Sequence, residues 1–573
     1  MSKIVLVAFR TPPDDSALRQ RLGRFLASLC PDNRPMPPIQ VHGDGRGLYL
    51  GVFDPLAPET VHDCSAYAGW LADPSVEWWR TGTPSPEGTY ALLRSSADVI
   101  EARVDYAATR ALWIAKTDQI FIATTSQRAI PAFLGSFELN PRAVLWMLSS
   151  GSLGPEESWD LRARPLAPGG VARLDRASWR LDIDEPAIEF NPEPLPEKQH
   201  RALMRQALAE TCGDLRLEWS NWIFPLSGGV DCRAILLNVR DKSAIRCVTW
   251  GLKRALDAPG SDAQVAGQLA DYLGLPRQYF PTDPADEPIE RIFQRFLIAG
   301  EGRVDHIAGY MDGLKLWSDL VACGTRGIVR GDEPYAMNRV ASADEVPAAV
   351  ALMRWSDHRG LPTLESLDLT HLGQQPIPPK LEHRPDEAPA DWRDRLLHSF
   401  KIPTVTAALN DIKSAYVEIA NPLLTRRIVE LARQQPATLR TGKKLLIALN
   451  REWKTPVPYA TSRAIAWAQD ALAAPAVREL LNDELASQRT VSILSRSFSN
   501  HVAQALNKPA TAVPASKSGE EITQKLKFLI PERFKAARRR RLVRPPPSAA
   551  QLGFRAWLIA HMSEILSRDA QNR

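Results

Sequence analysis

Ser227, Gly228 and Gly229 follow an apolar run, Trp222-Ile-Phe-Pro-Leu226, and precede a stretch with helical spacing from Val230 through Ala234, Leu237 and Asn238. That order reads as strand, turn, helix. Two glycines let backbone come close to a ligand, and a helix starting just after them points free N–H groups outward. The pattern predicts an anion site made from backbone, suited to a pyrophosphate. Asp231, in the first helical turn, adds a carboxylate that could hold a magnesium ion sharing the phosphate charge. A tight strand–turn–helix joint accounts for Gly-Gly alone; Ser before the glycines and Asp two residues after favour nucleotide binding. About a hundred residues on, Gly327-Ile-Val329 runs into Arg330-Gly331-Asp332-Glu333. By itself this is a solvated turn. At the end of a neighbouring strand, Asp332 would complete a metal site with Asp231.

The surrounding elements fit such a placement. Ala244 to Trp250 reads as a second buried strand, Asp262 to Leu273 as an amphipathic helix ending at Gly274, and Arg277 to Phe280 as a third strand. Strands alternating with helices indicate a parallel sheet covered on both faces, with ligands at the carboxyl ends of its strands. Upstream, β-rich runs at Ile4–Phe9, Gly47–Phe53, Thr89–Arg94, Val99–Val104, Ala111–Ala115 and Gln119–Thr124 predict a mainly antiparallel sheet unit. A helix over Pro141–Ser150 and an alternating segment, Val171–Ile183, close it. Residues 184–196 are proline-rich and acidic and read as the linker, followed by a helix over Lys198–Leu217. The expected division is 1–190 and 198–573. Residues 358–392 read as an irregular insertion, and helices should dominate from Trp392 onward.

A chain of 573 residues is too long for one core. Hydrophobic content of 44% and charged content of 24% are those of a globular protein. The net charge of +5 demands no nucleic acid, and the basic run Lys535–Arg544 has no aromatic interleaving, so it reads as a helix face or a peptide-contact surface. No apolar run approaches a membrane span, and no signal-type core follows Met1. Six scattered cysteines with no CxxC pair predict reduced thiols in a cytoplasmic protein.

Taken together, these motifs resemble the asparagine synthetase superfamily. Ser227-Gly-Gly-Val-Asp231-Cys232 is similar to its PP-loop, SGGxDS; Arg330-Gly-Asp-Glu333 resembles its GxGxDE loop; Glu418-Ile-Ala-Asn-Pro422-Leu-Leu424 resembles its E-x-R-x-P-F-L segment. Gly88-Thr-Tyr-Ala, Arg103-Val-Asp105 with Ala111-Leu-Trp, and Phe121 to Arg128 resemble segments of its glutaminase-like domain. The resemblance implies an α+β and α/β chain: an Ntn-type antiparallel sheet domain, then a PP-loop ATP-pyrophosphatase domain with a doubly wound parallel sheet and a helical C-terminal part. It assigns ATP to Ser227, Gly228, Gly229, Asp231, Cys232, Val248 and Gly331, and magnesium to Asp231 and Asp332.

The departures narrow the function. Ser2 stands where glutamine-dependent members carry their cysteine, and residues 55–85 lack the glutamine-binding Asn-Gly-Glu segment. Ser2 is therefore expected to have no catalytic role, and the amine should come from the substrate. Two branches work this way, the β-lactam synthetases and the lasso-peptide macrolactam cyclases, and Asp231-Cys232-Arg233 looks like the D-S-R of the cyclases. The resemblance thus implies adenylation of an Asp or Glu side chain of a precursor peptide and ring closure by its α-amine. A leader peptidase and a leader-recognition protein would be its partners. A small-molecule amide ligase and a nucleotide-binding scaffold without turnover are the alternatives. Glu418 is the candidate for orienting the amine. Arg330 or Val329 stands near where relatives carry a catalytic Glu or Tyr. Lys443, Lys444 or Lys517 could replace a family lysine missing after Thr461. Cys232 replaces a serine; its helix position could lower its pKa, the alternative being a backbone role only.

Overall fold

The structure is a computed structural model that describes residues 3–508 and 546–572. Ser2, Lys517 and the basic run from Lys535 to Arg544 lie outside the described residues.

The N-terminal part contributes β1 (Lys3–Phe9), β2 (Ile39–Gly43), β3 (Leu48–Phe53), β4 (Val61–His62), β5 (Ser65–Leu71) and β6 (Gly88–Ser95). Then come β7 (Val99–Val104), β8 (Trp113–Lys116), β9 (Ile120–Thr124), β10 (Arg164–Pro165), β11 (Val171–Asp175) and β12 (Arg180–Asp184). They form two antiparallel six-stranded sheets, ordered β10-β8-β9-β1-β3-β2 and β12-β11-β7-β6-β5-β4. Strand alternation explains their stacking. Ile4, Leu6 and Ala8 on β1 pack with Ala66, Ala91, Leu93 and Ala102 of the other sheet. Val5 and Val7, on the opposite face, are covered by α1 (Asp15–Ala27) and α2 (Ala129–Leu134). Next in the chain is α3 (Pro141–Ser150), capped by the Asn140 side chain and ended by Gly151 in the left-handed region.

Residues 185–196 contain no helix or strand and lead into α4 (Glu197–Gly213), which stops four residues short of the expected Leu217. This connection is not a free tether: Glu193 donates its backbone N–H to the carbonyl of Gln434, and the Phe190 ring lies under the Arg440 guanidinium.

The second part is built on five strands: β13 (Trp222–Pro225), β14 (Cys247–Gly251), β15 (Arg277–Pro281), β16 (Gly327–Val329) and β17 (Glu418–Ala420). Their order is β15-β14-β13-β16-β17, and all four pairings are parallel. Around this sheet lie α5 (Val230–Asn238), α6 (Asp262–Leu273) and the helices that dominate after Trp392. The mixed class expected from the sequence, antiparallel sheets first and a helix-covered parallel sheet second, is the architecture observed.

A long helix, Ala549–Gln571, fastens the two parts together. Its Asp569 pairs with Arg128 beside α2 at 2.7 Å, its Arg555 with Asp305 at 2.7 Å, and its His561 with Glu484 at 3.0 Å. Phe554 and Trp557 share one apolar cluster with Trp146 and Leu148 of α3. Among the described residues no helix is long and apolar enough to cross a membrane. All six cysteines are free thiols.

Candidate functional site

β13 is the central strand, and its carboxyl end delivers Ser227–Gly229 to the sheet edge. No side chain caps the N-terminus of α5, which follows Gly229 directly. The first-turn N–H groups of that helix therefore present a partial positive charge. The two glycines have different reasons. A Cβ on Gly228 would lie 2.8 Å from both Val265 and Ala460, so that position is closed by protein packing. A Cβ on Gly229 would meet only the Ser227 Oγ, at 3.2 Å, and this is the glycine with open space beside it. Asp262, at the start of α6, accepts the Gly228 N–H at 2.9 Å and pins the loop.

Cys232 turns its thiol back onto the loop. The Sγ lies 2.9 Å from the Ser227 Oγ and donates to the Ser227 carbonyl at 3.2 Å. Burial pushes the thiol pKa up despite these bonds, the reverse of the lowering that a helix start could give. Val248 packs in the same core cluster as Ile223 and Ile328 and supports the edge from within.

Because β16 is the neighbour of β13, the second acidic loop arrives beside the first. Gly331 allows this approach: a Cβ there would stand 3.0 Å from the Cys232 backbone nitrogen and 3.1 Å from the Asp231 Cβ. Lys443 joins them from a third element. Its Nζ donates to Asp231 at 2.6 Å and contacts Glu333 at 2.9 Å. Lys443 has a φ of 56° and follows Gly442 at 70°, a left-handed pair that turns the side chain back into the site. For a non-glycine residue that conformation costs energy and marks a held position. The Gly442 N–H donates to the Ala336 carbonyl at 2.9 Å, tying this turn to the acidic loop. Deeper still, His398 donates from Nε2 to the Pro334 carbonyl at 2.8 Å and accepts the Arg433 Nε–H at 3.2 Å. Burial and Arg433 drive its pKa down to about 3, so the ring is a neutral brace.

The electrostatics follow from this crowding. Burial, then Asp231, push Glu333 up to about 8. Burial also raises Asp231, with Lys443 opposing it. Burial works against the Lys443 ammonium, but Glu333 and Asp231 outweigh it and hold it protonated. Asp332 is lowered: burial opposes ionisation, and Arg330, 3.2 Å away, with Asn410 and Lys413 overcomes it. The Asn410 amide donates to Asp332 at 2.9 Å. Two buried oxygens here, Asp231 Oδ1 and Asn410 Oδ1, have no hydrogen-bond partner. Such oxygens suit a hard cation, although among the described residues no group of three or more His, Cys, Asp or Glu is arranged to hold a metal by itself.

Thus Ser227, Gly228, Gly229, Asp231, Cys232, Arg330, Gly331, Asp332 and Lys443 come together. Glu418 does not join them. It lies in a strand, level with Gly327 at the amino end of β16, and its carboxylate is buried against the Arg110 guanidinium of the N-terminal part. A carboxylate sealed in that ion pair cannot meet a substrate amine, so the amine-orienting role is withdrawn. Lys444 begins the helix Lys444–Glu452, and Lys443 is the lysine that enters the cluster. Asp262, Glu333, Asn410 and Lys413 were missed as site residues. Two of them carried a local signal: Glu333 stands in the acidic loop beside Asp332, and Asp262 follows Gly260-Ser261 at the start of a helix that Ser261 caps.

No protein-family model and no curated protein matches the sequence. Among solved structures, one titled as the allosteric regulatory enzyme of purine biosynthesis is similar over 50% of this chain and 68% of its own, at 10% identity and a TM-score of 0.22. A glutamine phosphoribosylpyrophosphate amidotransferase from B. subtilis, complexed with ADP and GMP, is similar over 59% of this chain and 83% of its own, at 10% identity and a TM-score of 0.21. At such scores the likeness assigns neither fold nor activity to this chain.

Proposed function

We propose that the chain is an AMP-forming amide ligase that activates a carboxylate with ATP and closes a macrolactam in a precursor peptide, as the lasso-peptide cyclases do. The observation that carries the ligase reading is the uncapped helix start behind Ser227–Gly229, where Asp231 in the helix's own first turn lies beside the Gly331-Asp332 loop and Lys443 from two other elements. A substrate carboxylate oxygen attacks the α-phosphorus and pyrophosphate leaves into the loop, where the first N–H groups of α5 receive its charge. Lys443 and Arg330 would stabilise the charge that builds on the phosphate oxygens. Asp231 and Asp332, with the unpartnered Asp231 Oδ1, would hold magnesium, which when bound neutralises pyrophosphate charge. The peptide's own amine then attacks the acyl carbon, AMP departs and the amine proton is lost. Holding amine and acyl carbon together is an entropic contribution.

The peptide, rather than a small molecule, is favoured by the resemblance to the cyclases in Asp231-Cys232-Arg233 and by the lack of the family's nucleophilic cysteine at position 2. A leader peptidase and a leader-recognition protein would supply the substrate. Incubating a linear precursor peptide with ATP, magnesium and the protein should give a product lighter by one water, with AMP and pyrophosphate. AMP formed only with aspartate and an ammonium source would replace this reading with an asparagine-type one. No pyrophosphate with any substrate would leave a binding scaffold.

A further inference from the structure

Residues 455–464 contain no helix and only one isolated bridge, yet backbone bonds hold them along the carboxyl edge of the parallel sheet. The Ala460 N–H donates to Gly228 at 3.0 Å, the Thr461 N–H to Gly260 at 2.9 Å, and Leu252 donates to Ala464 at 2.9 Å. Asp262 donates its N–H to Ser462 at 2.9 Å. Three glycines make room for this segment. A Cβ on Gly228 would press on Ala460 at 2.8 Å, one on Gly251 on Ala464 at 2.5 Å, and one on Gly260 on the Thr461 Oγ1 at 2.6 Å. The segment is therefore a seated strap crossing the ends of β13 and β14.

One side chain anchors its start. Arg233, buried on α5 just behind the phosphate-facing turn, donates to the Val457 carbonyl at 2.7 Å and the Pro458 carbonyl at 2.8 Å. Its guanidinium also stacks over the Tyr459 ring at 4.4 Å. A planar fork meeting two carbonyls and a ring is a geometry that lysine cannot reproduce. The strap's position bears on the nucleotide. Asp332, Lys443 and Glu333 crowd the β16 side of the loop, so the nucleoside end of a bound triphosphate has the β14 side left to it, where the strap runs.

We propose that residues 455–464 wall the nucleoside side of the phosphate loop and that Arg233 is the positioning residue that keeps this wall in place. The inference rests on the reading of the loop as a nucleoside-triphosphate site. It gives Arg233 a task away from the phosphates.

Tryptic digestion of the full chain, with and without ATP and magnesium, tests it, because Lys454 and Arg463 are exposed at the strap's two ends. In the unaltered protein ATP should slow cleavage at both sites. In Arg233→Gln, cleavage without nucleotide should be about tenfold faster, and the KM for ATP should rise about tenfold with kcat within about twofold, a loss of ground-state binding. Tyr459→Leu, altered on the strap itself, should shift both readouts the same way and covers the case in which Arg233→Gln does not fold. Cleavage at the unaltered rate in both variants overturns the anchoring role. A loosened strap with an unchanged KM, or ATP binding that leaves the strap unprotected, overturns the wall. No ATP binding by the unaltered protein overturns the nucleotide reading beneath it, while the nucleotide-free digest still decides whether Arg233 holds the strap.

Discussion

Two clusters of buried charge lie on either side of the helix Ala407–Ser414, and adjacent residues of that helix serve them: Asn410 binds Asp332, and Asp411 binds Arg303. The cluster toward the N-terminal part joins Lys3, Arg110 and Arg303 to Glu301, Asp411 and Glu418, three cations to three anions. None of those side chains is more than 7% exposed. The cluster at the sheet edge holds Asp231, Asp332 and Glu333 with Lys443 and Arg330. Its members are 10–25% exposed, and it includes an oxygen with no partner. Ion pairs closed off from water fix how two parts of a molecule meet. Incomplete pairing at an edge leaves charge available to a ligand.

The largest effect expected from breaking this contrast is at the edge. Asp231→Asn or Asp332→Asn should reduce ATP-dependent AMP release by about 100-fold or more, with the melting temperature nearly unchanged. A fall in melting temperature as large as the interface variants give would place the edge cluster among structural networks instead. At the interface the readouts reverse. Glu418→Gln leaves the Arg110 guanidinium facing a neutral amide and should destabilise the fold by about 3–5 kcal/mol, measured by chemical denaturation. A folded, stable but inactive Glu418→Gln would return Glu418 to the reaction.

A smaller effect tests whether buried ion pairing reads out as acid sensitivity. Burial opposes ionisation of Asp305, yet Arg555 and His306 hold it down to about 2. Burial likewise opposes Glu484, while His561, Arg489 and Thr490 hold it at about 2. Both carboxylates have folded values below their ordinary 3.8 and 4.5. Their stabilisation is therefore complete above about pH 4.5 and is lost as the pH falls through about 2. Trp557 stacks on His561 at 4.0 Å, so its fluorescence should report release of the long helix in that window. Glu484→Gln should remove part of the acid transition; an unchanged profile would show that the pairing is not what acid breaks. The smallest effect, none at all, is expected for Ser2→Ala on ATP-dependent product formation; measurable glutamine hydrolysis by the unaltered protein would contradict it.

Legibility followed locality. The helices Val230–Asn238 and Pro141–Ser150 and the strands Val99–Val104 and Gly327–Val329 carry their patterns within a few residues and stand where the sequence put them. β5 did not show, because Ser65, Ala66, Ala68 and Gly69 have weak strand propensity and are fixed by their neighbours β4 and β6. Gly228 looked like a ligand glycine, but its space is filled from other elements, by Val265 of α6 and by Ala460 more than two hundred positions away. Glu418 and Lys443 illustrate the same difficulty with side chains. Both stood out as charged residues in the second part, and only tertiary packing buries one against Arg110 and turns the other toward Asp231.

Arg128 and Asp569 are separated by 441 positions, and the apolar faces of α3 and of the helix Ala549–Gln571 meet across a comparable span. Contacts between such distant segments form only after the intervening chain has been gathered in, so they come late and slowly in folding. Until then the sandwich presents the uncovered side of α2 and α3, and the parallel-sheet part lacks Trp557 and Phe554 from its core. Neither half is a finished piece that could be cut at residues 185–196 and transplanted. For protein engineering the practical unit is the whole chain, with the helix at 549–571 as its final fastening.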